Sequence, residues 1–218
     1  MADPREPGIL TVAGRCEHEG DRVKGSRFLA IVDVAAGVDD ALARLAEARG
    51  RFPDATHHCW AWRGDGRDAF RWGDDGEPAG SAGRPMLAAI DGRGLSHTAV
   101  IVVRWFGGTK LGVGGLVRAY GAAAAEVIAR AGVVFEPFTT DLDVTFDYGL
   151  SGAVQSVLTA HGQSPVDADY GAEVRLTLRV VDAEVAGIKA DIEERTAGRA
   201  RCVLRPGRGR VSSDAAPR

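Results

Sequence analysis

The residues best suited to chemistry lie in one stretch, Arg104-Trp105-Phe106-Gly107-Gly108-Thr109-Lys110-Leu111-Gly112-Val113-Gly114-Gly115-Leu116-Val117-Arg118. Five glycines, Gly107, Gly108, Gly112, Gly114 and Gly115, separate a β-branched run from a helical stripe. Glycine is required where the backbone takes positive φ or lies close to a ligand. A helix opening there would present amides without intrahelical partners. With the helix dipole behind them, such amides attract an anion. Arg104, Lys110 and Arg118, with Arg84 upstream, add positive charge around that spot. The chemistry would be a phosphate cradle, for instance for an RNA backbone; a tight strand-to-helix turn would demand the same glycines. The stretch is not a P-loop, because Lys110 is followed by Leu111 instead of serine or threonine. Nor does Gly112-Val113-Gly114-Gly115 have dinucleotide spacing.

A second cluster runs Asp74-Asp75-Gly76-Glu77-Pro78-Ala79-Gly80-Ser81-Ala82-Gly83-Arg84-Pro85. The carboxylates Asp74, Asp75 and Glu77 could hold a hard cation or orient a water. Calcium-loop spacing is absent, and acidic turns rich in glycine and proline are commonly solvated loops. The expectation is a loop that contributes at most an accessory part of a binding surface. In His57-His58-Cys59, alternation puts His57 and Cys59 on one face of a strand and His58 on the other. Two ligands do not complete a zinc site. A cysteine–histidine dyad is disfavoured because positions two apart on a strand lie about 7 Å apart. Packing is the expected role of these residues, and of Trp60, Trp62 and Trp72. No catalytic residue, metal or cofactor is assigned.

These residues need elements to hold them. Gly25 to Val34 alternates as a strand, Asp39 to Arg49 is helical, and His57 to Arg63 is a short strand. Thr98 to Val103 is an almost unbroken β-branched run, as in a strand covered on both faces. The helix after it, from about Gly114, carries Leu116, Tyr120, Ala124, Val127 and Ala131 on one stripe, with Arg118 off it. A boundary falls near Glu136-Pro137-Phe138-Thr139. Beyond it come a strand (Asp141–Asp147), a helix (Ser151–Ala160), a hairpin around Tyr170-Gly171, an amphipathic helix (Asp182–Ala197) and a last strand (Arg201–Leu204). The order β-α-β-β-α-β is the ferredoxin-like one. The expected fold class is α+β, with domains at 1–136 and 139–205 and a flexible basic tail at 206–218.

Composition bounds the function. With 45% hydrophobic and 26% charged residues the chain can bury a core, so disorder is not the default. A net charge of −3 means that any nucleic-acid site must concentrate its cations locally. From Arg84 to Arg130 six cations face two acids, a net +4, and from Arg195 to Arg218 seven face one, a net +6. Three unpaired cysteines fit free thiols in a reducing compartment. The first residues lack an apolar signal core, and no apolar run approaches the ~18 residues of a membrane span. A cytoplasmic location without membrane partners follows; the oligomeric state does not.

Together, Lys24-Gly25-Ser26-Arg27-Phe28, Phe52 to Arg63, Asp74 to Pro85 and Arg104 to Tyr120 resemble the YigZ/IMPACT family. The family usually has asparagine at the position of His58 and a tyrosine where Trp105 or Phe106 stands. The resemblance implies a first (Impact N-terminal) domain with the β-α-β fold shared by GHMP kinases, a ribosomal small-subunit protein and domain IV of elongation factor G. It implies a second domain similar to the ferredoxin-like domain V of that factor. Eukaryotic members regulate translation during starvation by competing for a protein activator of an initiation-factor kinase; this chain looks bacterial. The expectation is a non-catalytic binding protein contacting RNA, the ribosome or a translation factor. A small phosphotransferase and a protein-recognition module without nucleic acid are the alternatives.

Overall fold

The computed structural model describes residues 7–206, so the basic tail expected at 206–218 lies outside the described residues except for Pro206. The chain divides into two compact units, Ile9–Glu136 and a second one beginning at Pro137 that also takes residues 7–8.

The first unit is built on a five-stranded antiparallel sheet with strand order β2-β3-β6-β4-β5. The strands are β2 (Cys16–Glu19), β3 (Arg27–Val34), β4 (His57–Arg63), β5 (Phe70–Gly73) and β6 (Thr98–Trp105). The β-branched run is central, and all but its last residue are buried. Its side chains alternate between two layers, as strand periodicity requires. Val100 and Val102 face α2 (Gly83–Asp91) and α3 (Val113–Ala131), meeting Met86, Tyr120, Ala124 and Val127. Ile101 and Val103 face α1 (Val38–Arg51), meeting Leu45 and Ala48. Burying each such aliphatic side chain contributes about 1.5–3 kcal/mol. α1 carries Asp39 and Asp40 in its first turn and Arg49 and Arg51 in its last, which complements its dipole. Two further strands, β1 (Gly8–Val12) and β7 (Val133–Pro137), pair with each other, and beyond them the Phe138 amide donates to the Pro7 carbonyl at 2.9 Å.

The second unit comprises β8 (Thr139–Phe146), a single 3-10 turn (Tyr148–Leu150), α4 (Ser151–Ala160), β9 (Pro165–Tyr170), β10 (Val174–Val181), α5 (Val185–Arg195) and β11 (Arg201–Pro206). Its chain order is β-α-β-β-α-β and its sheet order is β11-β8-β10-β9, antiparallel throughout. Leu142, Val144, Leu176 and Leu178 join Val154, Leu158, Ile188 and Ile192 in one core. The opposite face is a mosaic of charge: Arg179 grips Asp141 through two hydrogen bonds of 3.0 and 3.1 Å, and Arg205 pairs with Asp143.

The mixed α+β class agrees with the sequence pattern. The first unit holds more structure than the pattern gave, since β1, β2, β5, β7 and α2 carry no clear periodicity. Among the described residues, no helix is long and apolar enough to cross a membrane.

Candidate functional site

The glycine-rich turn is tied down at its start. The Phe106 amide donates to Thr56 Oγ1 at 3.0 Å, and the Gly107 amide to Ser26 Oγ at 3.2 Å. Gly107 lies so close to the Gly25–Ser26 backbone that a Cβ on it would sit 2.0 Å from the Gly25 carbonyl carbon. Farther along, Gly112 takes φ +73° and ends the turn, and its carbonyl accepts the Leu116 amide at 2.9 Å. The amides of Val113, Gly114 and Gly115, which open α3, find no hydrogen-bond partner among the described residues, and no side chain caps them. Gly108 is exposed at φ +85°.

The charges divide into free and spent. Lys110 is exposed and lines a cavity of about 460 Å³. Arg118 is exposed and lines another of about 280 Å³, together with Lys24. Leu111 borders both cavities. Arg118 runs back along the helix, so that its Nη1 lies 3.7 Å from where a Cβ on Gly114 would stand. Among the described residues no acid pairs with Lys24, Lys110 or Arg118, whereas Arg15, Arg27, Arg49 and Arg51 all have carboxylate partners. Arg104 differs from the expected free cation. Its side chain is 4% exposed, pairs with Glu77 and donates to Ser26 Oγ at 3.1 Å. Arg84 is exposed on α2, with its guanidinium carbon 6.0 Å from the centre of the Trp72 ring, and borders neither cavity.

The acidic loop is structural at one end and sited at the other. Both oxygens of Asp74 are consumed by backbone amides: Gly80 at 2.7 Å, Ala82 at 3.1 Å and Gly83 at 2.8 Å. This folds the loop and caps α2, satisfying amides that a helix start leaves open. Asp75 accepts from the His58 amide at 2.7 Å and pairs with Arg49. Glu77 is carried inward to the floor of the larger cavity, where its Oε1 accepts from Arg104 and from the Tyr120 hydroxyl at 2.8 Å. Among the described residues no cluster of three His, Cys, Asp or Glu side chains could hold a metal ion.

His57 and Cys59 share a face, as alternation requires, but have different surroundings. His57 lines the larger cavity, its Nδ1 bonded to the Asp75 carbonyl at 2.8 Å. Cys59 is fully buried below it, 3.0 Å from the Asp74 carbonyl and 3.4 Å from the Tyr120 hydroxyl. Burial, with the Glu77, Asp75 and Asp74 charges adding to it, pushes the Cys59 thiol up to about 12 from 9.0. At mildly alkaline pH the native protein therefore holds on the order of 1,000-fold less Cys59 thiolate than an ordinary thiol. Mass spectrometry after iodoacetamide treatment should find Cys59 alkylated only once the protein is denatured; rapid labelling of the native chain would contradict this burial. The walls that Phe106, Leu111 and Val113 supply to the cavity were not legible as such, because a strand-to-helix turn has no periodicity to show which side chains converge.

An antiparallel sheet covered by helices on both faces, with a glycine turn at one strand end, thus defines the first unit, and a β-α-β-β-α-β unit follows. Residues 24–128 match the Impact N-terminal domain and residues 144–199 match a domain of unknown function, DUF1949. The chain belongs to the IMPACT family. It is 34% identical to an IMPACT family member of Haemophilus influenzae over 82% of this chain and 88% of that one. It is 33% identical to the IMPACT family member YigZ of Escherichia coli, over 82% and 89% respectively. A Thermus thermophilus IMPACT family member is 42% identical over 72% of this chain and 86% of its own. A crystal structure of a hypothetical protein, 31% identical, superposes with a TM-score of 0.70 over 90% of this chain and 97% of that one.

Proposed function

We propose that this chain is a non-catalytic, translation-associated binding protein whose first unit docks the phosphate backbone of structured RNA, free or within the ribosome. The observation that carries it is the start of α3: three amides without partners, flanked by Lys110, Arg118 and Lys24, none with an acid partner among the described residues. Positive potential left uncompensated at a helix start favours an anion. Membership of the IMPACT family supports the translation-associated part. The open sheet face of the second unit suits RNA poorly, because sheets that bind single strands stack bases on aromatic side chains. Here that face carries Asp141, Asp143, Arg175, Thr177 and Arg179 on its central strands.

Fluorescence anisotropy with structured RNA and with ribosomes, across a salt series, tests this. Binding should weaken steeply with salt, because phosphate contacts release counterions. Lys110→Ala with Arg118→Ala should weaken binding about tenfold or more and flatten the salt slope by about 2. Unchanged affinity and slope in the double variant would remove the turn as the docking point.

A further inference from the structure

We infer that the larger cavity beside the turn is a nucleotide pocket, entered base-first, with the phosphate left at the start of α3. The floor carries the argument. The Glu77 side chain is 4% exposed, and its Oε1 already serves Arg104 and Tyr120. Its Oε2 accepts no hydrogen bond among the described residues, and the side chain lines the cavity. A carboxylate oxygen open to a cavity can accept from a ligand N–H in place of water. Beside it, His57 donates from Nδ1 to the Asp75 carbonyl and its Nε2 lies 3.8 Å from Glu77 Oε1; in the tautomer with its single proton on Nδ1, that Nε2 is a second acceptor. The inner end thus calls for a ligand edge with adjacent N–H donors.

The walls call for a flat apolar body. Phe106 is 46% exposed, with its ring centre 5.6 Å from the Arg104 guanidinium carbon, and Leu111 and Val113 complete the lining. At the outer end stand Lys110 and the unpartnered Val113 amide, which suit an anion. The volume, about 460 Å³, is that of a small-molecule site, far larger than a lone phosphate needs. Donor edge, flat ring and terminal anion together describe a nucleotide. Guanine fits best, because its ring N–H and exocyclic amine lie side by side. The source is either a free mononucleotide or a nucleotide splayed out of an RNA strand. Only the phosphate end rests on the docking function proposed above.

Isothermal titration of the full chain with guanosine, adenosine and uridine monophosphates and with inorganic phosphate decides the matter. Guanosine monophosphate should bind at least tenfold more tightly than uridine monophosphate or phosphate. Phe106→Ala, a surface change, should weaken it about tenfold, and Glu77→Gln should erase the base preference. If Glu77→Gln fails to fold, Phe106→Ala and the ligand series still decide. Absence of nucleotide binding, or equal binding of phosphate and all three nucleotides, overturns the pocket. Guanine-containing single-stranded RNA that displaces the mononucleotide assigns the strand as source; failure to displace it assigns the free nucleotide. Salt-dependent RNA binding lost in the Lys110/Arg118 variant, with no nucleotide binding, would overturn the pocket alone; the reverse pattern would overturn the docking function alone.

Discussion

Glu77→Ala is expected to destabilise the first unit by about 3–5 kcal/mol, the cost of stranding one member of a buried ion pair. Arg104 would keep its Ser26 bond but lose its counter-charge in a site where its side chain is 4% exposed. Tyr120, fully buried, would lose the acceptor for its hydroxyl. Small domains are stable by only about 5–15 kcal/mol, so most of the margin could go. Urea unfolding followed by tryptophan emission measures this cleanly, because all four tryptophans, Trp60, Trp62, Trp72 and Trp105, belong to the first unit. Removing both charges, as Glu77→Leu with Arg104→Met, should recover most of the loss, since well-packed apolar replacements of buried pairs are often neutral. A single-variant cost below about 1 kcal/mol would mean that water already reaches the pair.

Gly107→Ala should be nearly as damaging, for a steric reason. Its Cβ would meet Gly25 C at 2.0 Å, Ser26 N at 2.2 Å and Gly25 O at 2.3 Å, all main-chain atoms that cannot rotate away. The loss should reach about 3 kcal/mol, the upper end of overpacking costs. The Lys24–Ser26 turn would separate from the glycine turn, taking the Ser26 bridge to Arg104 with it. Gly114→Ala is the control: its φ is not left-handed and a Cβ there meets only the end of the Arg118 side chain at 3.7 Å, so it should cost less than about 0.5 kcal/mol. Equal effects of the two substitutions in the same urea assay would show that the backbone gives way and that close packing at Gly107 is not the constraint.

Periodicity made the main elements legible. The strand His57–Arg63 and the helix Ser151–Ala160 were read to the residue, and the alternation of Thr98–Val103 between two layers followed from its β-branched run. The strands missed were short ones, such as Phe70–Gly73, in which four residues show no period. α2 was hidden because its start, Gly83-Arg84-Pro85, reads as loop and its cap, Asp74, lies eight residues before Ala82. The glycine turn was visible as a candidate site. Which of its charges were free was not, because burial of Arg104 depends on Glu77 arriving from a loop 27 positions away. The same long-range folding turned Glu77 from an accessory acid into the floor of a cavity.

The pairing of Gly8–Val12 with Val133–Pro137, closed by the Phe138-to-Pro7 hydrogen bond, has a topological result. The second unit holds residues 7–8 and resumes at Pro137, so the first unit is a guest spliced into its host between two neighbouring points of host backbone. Excising 9–136 would leave ends one hydrogen bond apart, a gap that two or three linker residues could bridge at little closure entropy. All four strands of the host sheet lie after that scar, so the host would keep its full hydrogen-bonded ladder while the guest was exchanged or removed.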